Sequence, residues 1–145
     1  MNHALFVVEL GEATAISLGP AAVLVDCPEG TWAAWNASSL RATGPDAVAL
    51  TSGRAEVIAG LYGLLAGMAA AGRTEPVRLL HHMADGRPGN LVGAYLQSEP
   101  VSFPVSLEGD WPGAVLMVGG LRLESRGQDD GRRWAIEGGG RRVER

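Results

Sequence analysis

The sequence of 145 residues has one cysteine, no lysine and no long hydrophobic run. A single thiol, Cys27, excludes an internal disulfide framework and fits a reducing compartment. The formal net charge of −4 argues against a general nucleic-acid-binding surface without excluding a local one. No apolar run approaches the length of a membrane span, and the N-terminus lacks the order of a signal peptide. We therefore predict a cytoplasmic protein without a membrane segment.

What the sequence does contain is typical of one globular domain, with 46% hydrophobic and 19% charged residues. Residues 4–10, 13–18 and 21–26 are short, β-branched-rich runs separated by Gly11-Glu12 and Gly19-Pro20, which predicts an antiparallel meander. The run at 47–51 is apolar throughout, as in a strand buried on both faces.

The remaining elements alternate between the two kinds of secondary structure. We predict helices at residues 31–40, 57–71 and 90–97, and strands at 77–82, 101–107, 114–118, 121–125 and 133–137. This order predicts a mixed α/β layer and one domain over residues 1–137. The glycine-rich and arginine-rich residues 138–145 are predicted to form a flexible C-terminal tail.

The central predicted helix has no charged side chain between Val57 and Ala71. Its apolar stripe includes Ile58, Leu61 and Leu65, and its opposite face carries mainly glycine and alanine. A helix without a polar face is usually covered on both sides. Two interpretations stay open at this point: a second subunit covers the small residues, or an alanine-rich surface faces water.

The loop of residues 51–57 joins a predicted strand to this helix, a junction at which many α/β enzymes keep their chemistry. Here the loop has no histidine, no cysteine and no glycine-rich phosphate cradle. The residues around it resemble a known family. The segments VLVDCPEGTWAAW (residues 23–35) and PDAVALTSGRAEVIAGLYGLLAGMAAAGRTEPVRLL (residues 45–80) resemble the ribonuclease Z branch of the metallo-β-lactamase fold. VLMVGGLRLESRGQ and RRWAIEGGGRRV resemble later strands of that branch more weakly.

The resemblance implies a metal site that this sequence has lost. The family's first two metal histidines align with Ser52 and Arg54, its aspartate with Glu56 and its third histidine with Val57. A later metal histidine would align near Gln128 or Asp129. Zinc requires imidazole, thiolate or carboxylate ligands, and arginine is a fixed cation. We therefore predict no metal, no cofactor and no catalytic residue, hence a non-catalytic structural or regulatory subunit. The alternative is a metal-dependent hydrolase or phosphodiesterase with a divergent site.

The family's fold is a four-layer αββα sandwich of two similar halves, and the chain resembles the first half only. This implies a mixed β-sheet with helices on one face and an open apolar surface on the other. Exposed apolar surface of that size normally marks an interface. We predict a homodimer built mainly through the sheets, assisted by strand edges or by the central helix. The alternative partner is a catalytic half that carries the missing histidines.

Other side chains near the former site suggest binding roles. His81 and His82, with Asp85, could contact a metal, but neighbouring histidines on a strand point to opposite faces. Arg54 offers a planar donor fork for phosphate, so Arg54, His81 and His82 form a candidate anion site. The competing interpretation of Arg54 is an ion pair with Glu56 or exposure to solvent.

The loop after the third predicted strand carries a structural motif rather than chemistry. Asp26, Glu29, Gly30 and Thr31 are predicted to shape a tight turn, with Thr31 as the N-cap of the following helix. Cys27 has no nearby histidine or aspartate partner that would make a nucleophile, so we expect a buried structural thiol. Trp32, Trp35, Trp111 and Trp134 are expected in the core or at an interface.

Overall fold

The computed structural model describes residues 3–99, 101–127 and 132–145. Within these ranges the strands are β1 (Leu5–Leu10), β2 (Ala13–Leu18), β3 (Ala21–Val25), β4 (Ala47–Ala49), β5 (Val77–His82), β6 (Val105–Asp110), β7 (Val115–Val118), β8 (Leu121–Arg126), β9 (Arg133–Gly138) and β10 (Arg141–Glu144). The helices are α1 (Thr31–Asn36), α2 (Ala55–Ile58), α3 (Leu61–Ala70) and α4 (Arg87–Ser98). No helix in the described residues is long and apolar enough to cross a membrane.

The first sheet is mixed and has six strands in the order β1-β2-β3-β4-β5-β6. β1, β2 and β3 pair antiparallel, which confirms the predicted meander. β4, β5 and β6 then join in parallel. All three residues of β4 are buried, because the strand lies in the middle of the sheet with a layer on each face. The predicted mixed sheet with helices on one face is confirmed.

A second sheet covers the other face of the first. Its four strands are antiparallel in the order β10-β9-β8-β7. Leu121, Leu123, Trp134 and Ile136 of this sheet pack in one cluster with the apolar side chains of β1 to β5. The predicted open apolar face is therefore wrong. The chain turns a corner after β6 and folds its last strands beneath the first sheet, which buries that face within one chain.

The predicted flexible tail at residues 138–145 is also wrong, and the domain extends beyond residue 137. β10 pairs antiparallel with β9 across a turn at Gly139 and Gly140, whose φ angles of 56° and 77° suit glycine. Val143 on this strand is buried in the inter-sheet cluster. Arg141 donates from Nη1 to the carbonyl oxygen of Leu5 at 3.0 Å, which joins the last strand to the first.

The helix layer is built around α3, whose buried face packs on the first sheet. The helix predicted at residues 57–71 is divided in two, with Gly60 as the N-cap of α3. A Cβ on Gly60 would lie 2.0 Å from the carbonyl oxygen of Pro28, and one on Gly67 would lie 2.0 Å from Nε1 of Trp32. Close packing thus explains two of the small residues. Gly63 and Ala66 are exposed, and their cover by a second subunit stays a prediction.

The outer face of the second sheet is charged. Over β8 to β10 it carries Arg122, Arg126 and Arg142 with Glu124, Glu137 and Glu144, which form ion pairs between 2.6 and 3.9 Å. On the edge strand β7 the same face exposes Val115 and Met117. Burying such pairs beneath an apolar layer would cost more in desolvation than their attraction returns. The charged part of this face, over β8 to β10, is therefore suited to water rather than to a packed layer of apolar helices.

Candidate functional site

A cleft of about 240 Å³ lies at the carboxyl ends of β4 and β5. Its walls are residues 50–53 after β4, His81 and His82 at the end of β5, and residues 84, 85, 87 and 88 at the start of α4. Ligands of parallel α/β sheets bind at this end of the strands. The cleft therefore occupies the expected place for a functional site.

The residues aligned with the lost metal ligands have local structural roles. Ser52 is buried, and its Oγ accepts a hydrogen bond from the backbone N–H of Arg54 at 3.0 Å. The carbonyl oxygen of Val57 accepts from the N–H of Cys27 at 3.0 Å, which fixes the loop after β3 to the turn before α3. These residues fix the backbone between β4 and the helices, and their side chains do not form a set of metal ligands.

Arg54 forms an ion pair with Glu56. Its Nε lies 3.5 Å from Oε1 of Glu56, and the two side chains are 51% and 70% exposed. Arg54 is not among the residues that line the cleft, whereas His81 and His82 both are. The structure thus brings together two members of the candidate anion site. Anion binding by Arg54, His81 and His82 stays a prediction.

Both histidines line the cleft, at the end of β5. Nδ1 of His81 lies 2.9 Å from the carbonyl oxygen of His82, and Nδ1 of His82 accepts from the N–H of Ala84 at 3.1 Å. The two rings make different contacts, and the opposite orientation of neighbouring histidines on a strand stays a prediction. In the described residues no three histidine, cysteine, aspartate or glutamate side chains are grouped to hold a metal. Residues 128 and 129 lie outside the described residues.

The cation at the cleft is Arg87, which the sequence analysis did not single out. Its Nε and Nη2 donate to the two carboxylate oxygens of Asp85, each at 2.9 Å. These hydrogen bonds from Arg87 lower the pKa of Asp85, against the opposing effect of burial. A Cβ on Gly53 would lie 2.1 Å from Oδ2 of Asp85, so the loop after β4 packs directly on this carboxylate. An Asp two residues before an Arg-Pro helix start is the signal that could have indicated the pair.

The loop after β3 is held by Asp26, which has a positive φ of 64°. Its carboxylate accepts from the N–H of Thr51 at 2.8 Å and from Oγ1 of Thr51 at 2.8 and 2.9 Å. Burial raises the pKa of Asp26, and the hydrogen bonds from Thr51 oppose this rise. Asp26 thereby links the ends of β3 and β4.

The start of α1 differs from the prediction in one respect. Gly30, with φ of 86°, is the N-cap, and Thr31 is the first residue of the helix. Thr31 donates its hydroxyl back to the carbonyl oxygen of Pro28 at 2.7 Å instead of capping a helix N–H. Glu29 is exposed in the same turn. Cys27 is fully buried, and burial raises the pKa of its thiol to about 12, which leaves it protonated and unreactive.

Buried polar contacts join the second sheet to the cleft end of the first. Nε1 of Trp134 donates to the carbonyl oxygen of Leu50 at 3.0 Å, and both residues are buried. Asp110 at the end of β6 forms a buried ion pair with Arg132 and accepts from Oγ of Ser125 at 3.4 Å. The predicted core position of Trp134 is confirmed. The other contacts join segments far apart in the sequence and had no sequence signal.

The fold described above is shared with solved structures. The metallo-β-lactamase fold protein YhfI from Bacillus subtilis matches with a TM-score of 0.70 and 17% identity, over 94% of this chain and 54% of that one. Zn²⁺-bound PqqB from Methylobacterium extorquens matches with a TM-score of 0.68 and 20% identity, over 91% of this chain and 47% of that one. The short form of human tRNase Z matches with a TM-score of 0.68 and 14% identity, over 99% of this chain and 68% of that one.

These likenesses show that the chain has the metallo-β-lactamase fold, which confirms the resemblance at the level of the fold. The chain spans about half the length of the first two structures. No protein-family model matches it, and no curated protein sequence does. The residues present do not fit the metal site that the fold implies. Serine, arginine and valine at ligand positions, with Glu56 engaged by Arg54, do not fit a dinuclear centre.

Proposed function

We propose that this chain is a non-catalytic, metal-free module of the metallo-β-lactamase fold that acts as a structural or regulatory subunit. The observation that carries the proposal is the chemistry of positions 52, 54 and 57. They keep the backbone of a strand-to-helix junction at the cleft while presenting side chains that cannot ligate a metal.

The local contacts support this role for the junction. Ser52 stabilises a turn, Val57 anchors the loop that contains Cys27, and Arg54 pairs with Glu56 in solvent. A phosphodiesterase of this fold would need a metal to lower the pKa of its attacking water. None of these three positions can bind that ion, so the junction serves the architecture.

Metal content and hydrolysis test the proposal together. The purified chain, incubated with zinc or manganese and then desalted, should contain far less than stoichiometric metal by elemental analysis. It should also cleave bis(p-nitrophenyl) phosphate no faster than the metal alone. Stoichiometric metal with cleavage that Glu56→Ala or the His81→Ala, His82→Ala double variant abolishes would establish the alternative, a hydrolase with a divergent site. Arg122→Ala, on the outer face of the second sheet, is the matched control.

We further propose that the module acts through association, as a homodimer or with a catalytic half that carries the missing histidines. The surface that the sequence led us to expect for this contact, an open sheet face, is occupied by the chain's own second sheet. The contact must therefore use another surface. We place the protein in the cytoplasm, where the single buried Cys27 would stay reduced.

A further inference from the structure

The two edges of the sandwich carry different side chains. On the side of β1 and β10, Nη2 of Arg145 pairs with Oε1 of Glu9 at 2.8 Å, and Arg141 reaches the carbonyl oxygen of Leu5. Charged side chains at a sheet edge discourage pairing with another chain. On the side of β6, Leu107 is 44% exposed and Trp111 is 58% exposed. β1 also exposes an apolar side chain, Phe6, but there the charged contacts of Glu9 and Arg141 flank it. In the described residues β6 has a strand neighbour on one side only, β5.

The sequence of β6 is self-complementary when two copies are placed antiparallel. Successive residues face opposite sides of a sheet, so only registers that keep the faces aligned are possible. With Leu107 opposite the partner's Leu107, an exposed apolar side chain meets its own copy. Ser106 then lies opposite the partner's Glu108, and Val105 opposite the partner's Gly109. Shifting the register by one residue on each strand would instead place Leu107 opposite the partner's Gly109, which has no side chain to pack against it, and Glu108 opposite the partner's Glu108.

The neighbourhood of β6 permits a second copy to approach. A Cβ on Gly89 of α4 would lie 3.8 Å from Cδ1 of Leu107, so Leu107 faces the helix layer beside α4. That helix has no charged residue between Arg87 and Glu99. On the other face, Glu108 is held by Arg78 at 2.7 and 2.9 Å, which neutralises the acid nearest the edge. Trp111 would lie beside the partner's Phe103 and Pro104.

We propose that two copies of this chain associate through β6, in antiparallel register about Leu107, to form one continuous twelve-stranded sheet. Each copy would supply the edge hydrogen bonds that the other lacks, and the two-fold axis would pass between the two Leu107 residues. This inference rests on the part of the proposed function that assigns the chain to association.

The first test is the mass of the full chain by light scattering at micromolar concentration. We expect twice 15.1 kDa for the parent chain and 15.1 kDa for Leu107→Glu, which places two carboxylates together at the two-fold axis. Phe6→Glu is the matched control, because Phe6 is 61% exposed on β1 at the opposite side of the sheet. The control should keep the dimer mass. A monomeric parent, or a dimer lost with Phe6→Glu and kept with Leu107→Glu, would overturn the proposal.

The second test measures which residues of the two β6 strands lie opposite each other, and it does not require a variant that breaks the dimer. Directly opposed residues in antiparallel strands have Cα atoms about 4.5–5.5 Å apart. That separation allows a disulfide, so Leu107→Cys should oxidise rapidly to a linked dimer. The buried Cys27 is the only other thiol in the chain and will not interfere. Phe6→Cys is the control, because its oxidation rate measures disulfide formation by random collision of two chains. Linkage of Leu107→Cys no faster than that of Phe6→Cys would exclude this interface.

These readouts separate the inference from the metal-free proposal. A chain that binds metal and cleaves phosphodiesters could still be linked at Leu107, and a metal-free chain could still prove monomeric. Thermal melting of each variant shows whether it is folded. If Leu107→Glu is unfolded, the cysteine experiment decides the question.

Discussion

Gly60 and Gly63 lie almost one helical turn apart, yet their surroundings are opposite. A Cβ on Gly60 would approach the backbone oxygen of Pro28 to 2.0 Å, whereas a Cβ on Gly63 would have nothing within 4 Å. The backbone of Pro28 cannot rotate away as a side chain would. The glycine at position 60 is therefore required by the contact between helix and loop, and the glycine at 63 is not.

Alanine at these two positions should change stability in opposite directions. We expect Gly60→Ala to lower the free energy of unfolding by about 1–3 kcal/mol, the usual range for overpacking. Gly63→Ala should raise it by about 0.5–1 kcal/mol, because alanine is the better helix former. Urea unfolding of the two variants beside the parent measures both. Equal effects from the two substitutions would show that α2 and α3 do not pack on the loop as described.

At the residue scale the sequence gives the chemistry of each side chain but not its distant contacts. Serine, arginine and valine at ligand positions could be recognised directly, because ligand chemistry depends on residue type. The ion pair of Arg54 with Glu56 was one of two interpretations and is what the structure contains. The hydrogen bond from Trp134 to Leu50 joins residues 84 positions apart, and no local pattern encodes such a contact.

Arg78 links three strands and both sheets. Its Nε and Nη2 bind the carboxylate of Glu108 on β6, while Nη1 donates to the carbonyl oxygen of Met117 on β7 at 2.6 Å. The planar guanidinium serves these two partners at once, which the single ammonium group of lysine cannot do. The pKa of Glu108 is lowered mainly by its hydrogen bonds from Arg78.

We expect Arg78→Lys to reduce the free energy of unfolding by about 1–2 kcal/mol, because one of the hydrogen-bonded groups is left without its donor. Arg54→Lys is the matched control, with an exposed partner at 3.5 Å, and should change stability by less than about 0.5 kcal/mol. Chemical denaturation of both variants gives the comparison. A loss at Arg54 as large as that at Arg78 would contradict the inter-sheet role.

At the element scale the meander, β5 and the helix layer followed from periodicity and turn residues. β2 and β5 have the predicted bounds, because apolar alternation ends at clear turn signals there. The division between α2 and α3 could not be foreseen, since its cause is the contact of Gly60 with Pro28. β10 was missed because two glycines followed by arginines resemble a tail, whereas they form a hairpin whose Val143 reaches the core.

At the scale of the whole molecule, three layers satisfy the apolar faces of the described chain. The helices cover one face of the first sheet, and the second sheet covers the other. The outer face of the second sheet carries ion pairs over β8 to β10, and its exposed apolar side chains, Val115 and Met117, lie on the edge strand β7. Dimerisation is therefore not needed to bury an apolar face of the first sheet. We expect the contact between two copies at a strand edge instead.

The closing strand β10 provides the test of this three-layer arrangement. A chain ending at Glu137 loses the pairing with β9, the buried side chain of Val143 and the link from Arg141 to Leu5. We expect it to be less stable than the parent by at least about 3 kcal/mol, since burial of Val143 alone contributes about 1.5–3 kcal/mol. Arg142→Gln, which removes only exposed ion pairs, should cost no more than about 1 kcal/mol. Thermal and urea unfolding measure both changes. If the shortened chain unfolds at the same denaturant concentration as the parent, residues 138–145 are a loose tail and the second sheet is closed by β9.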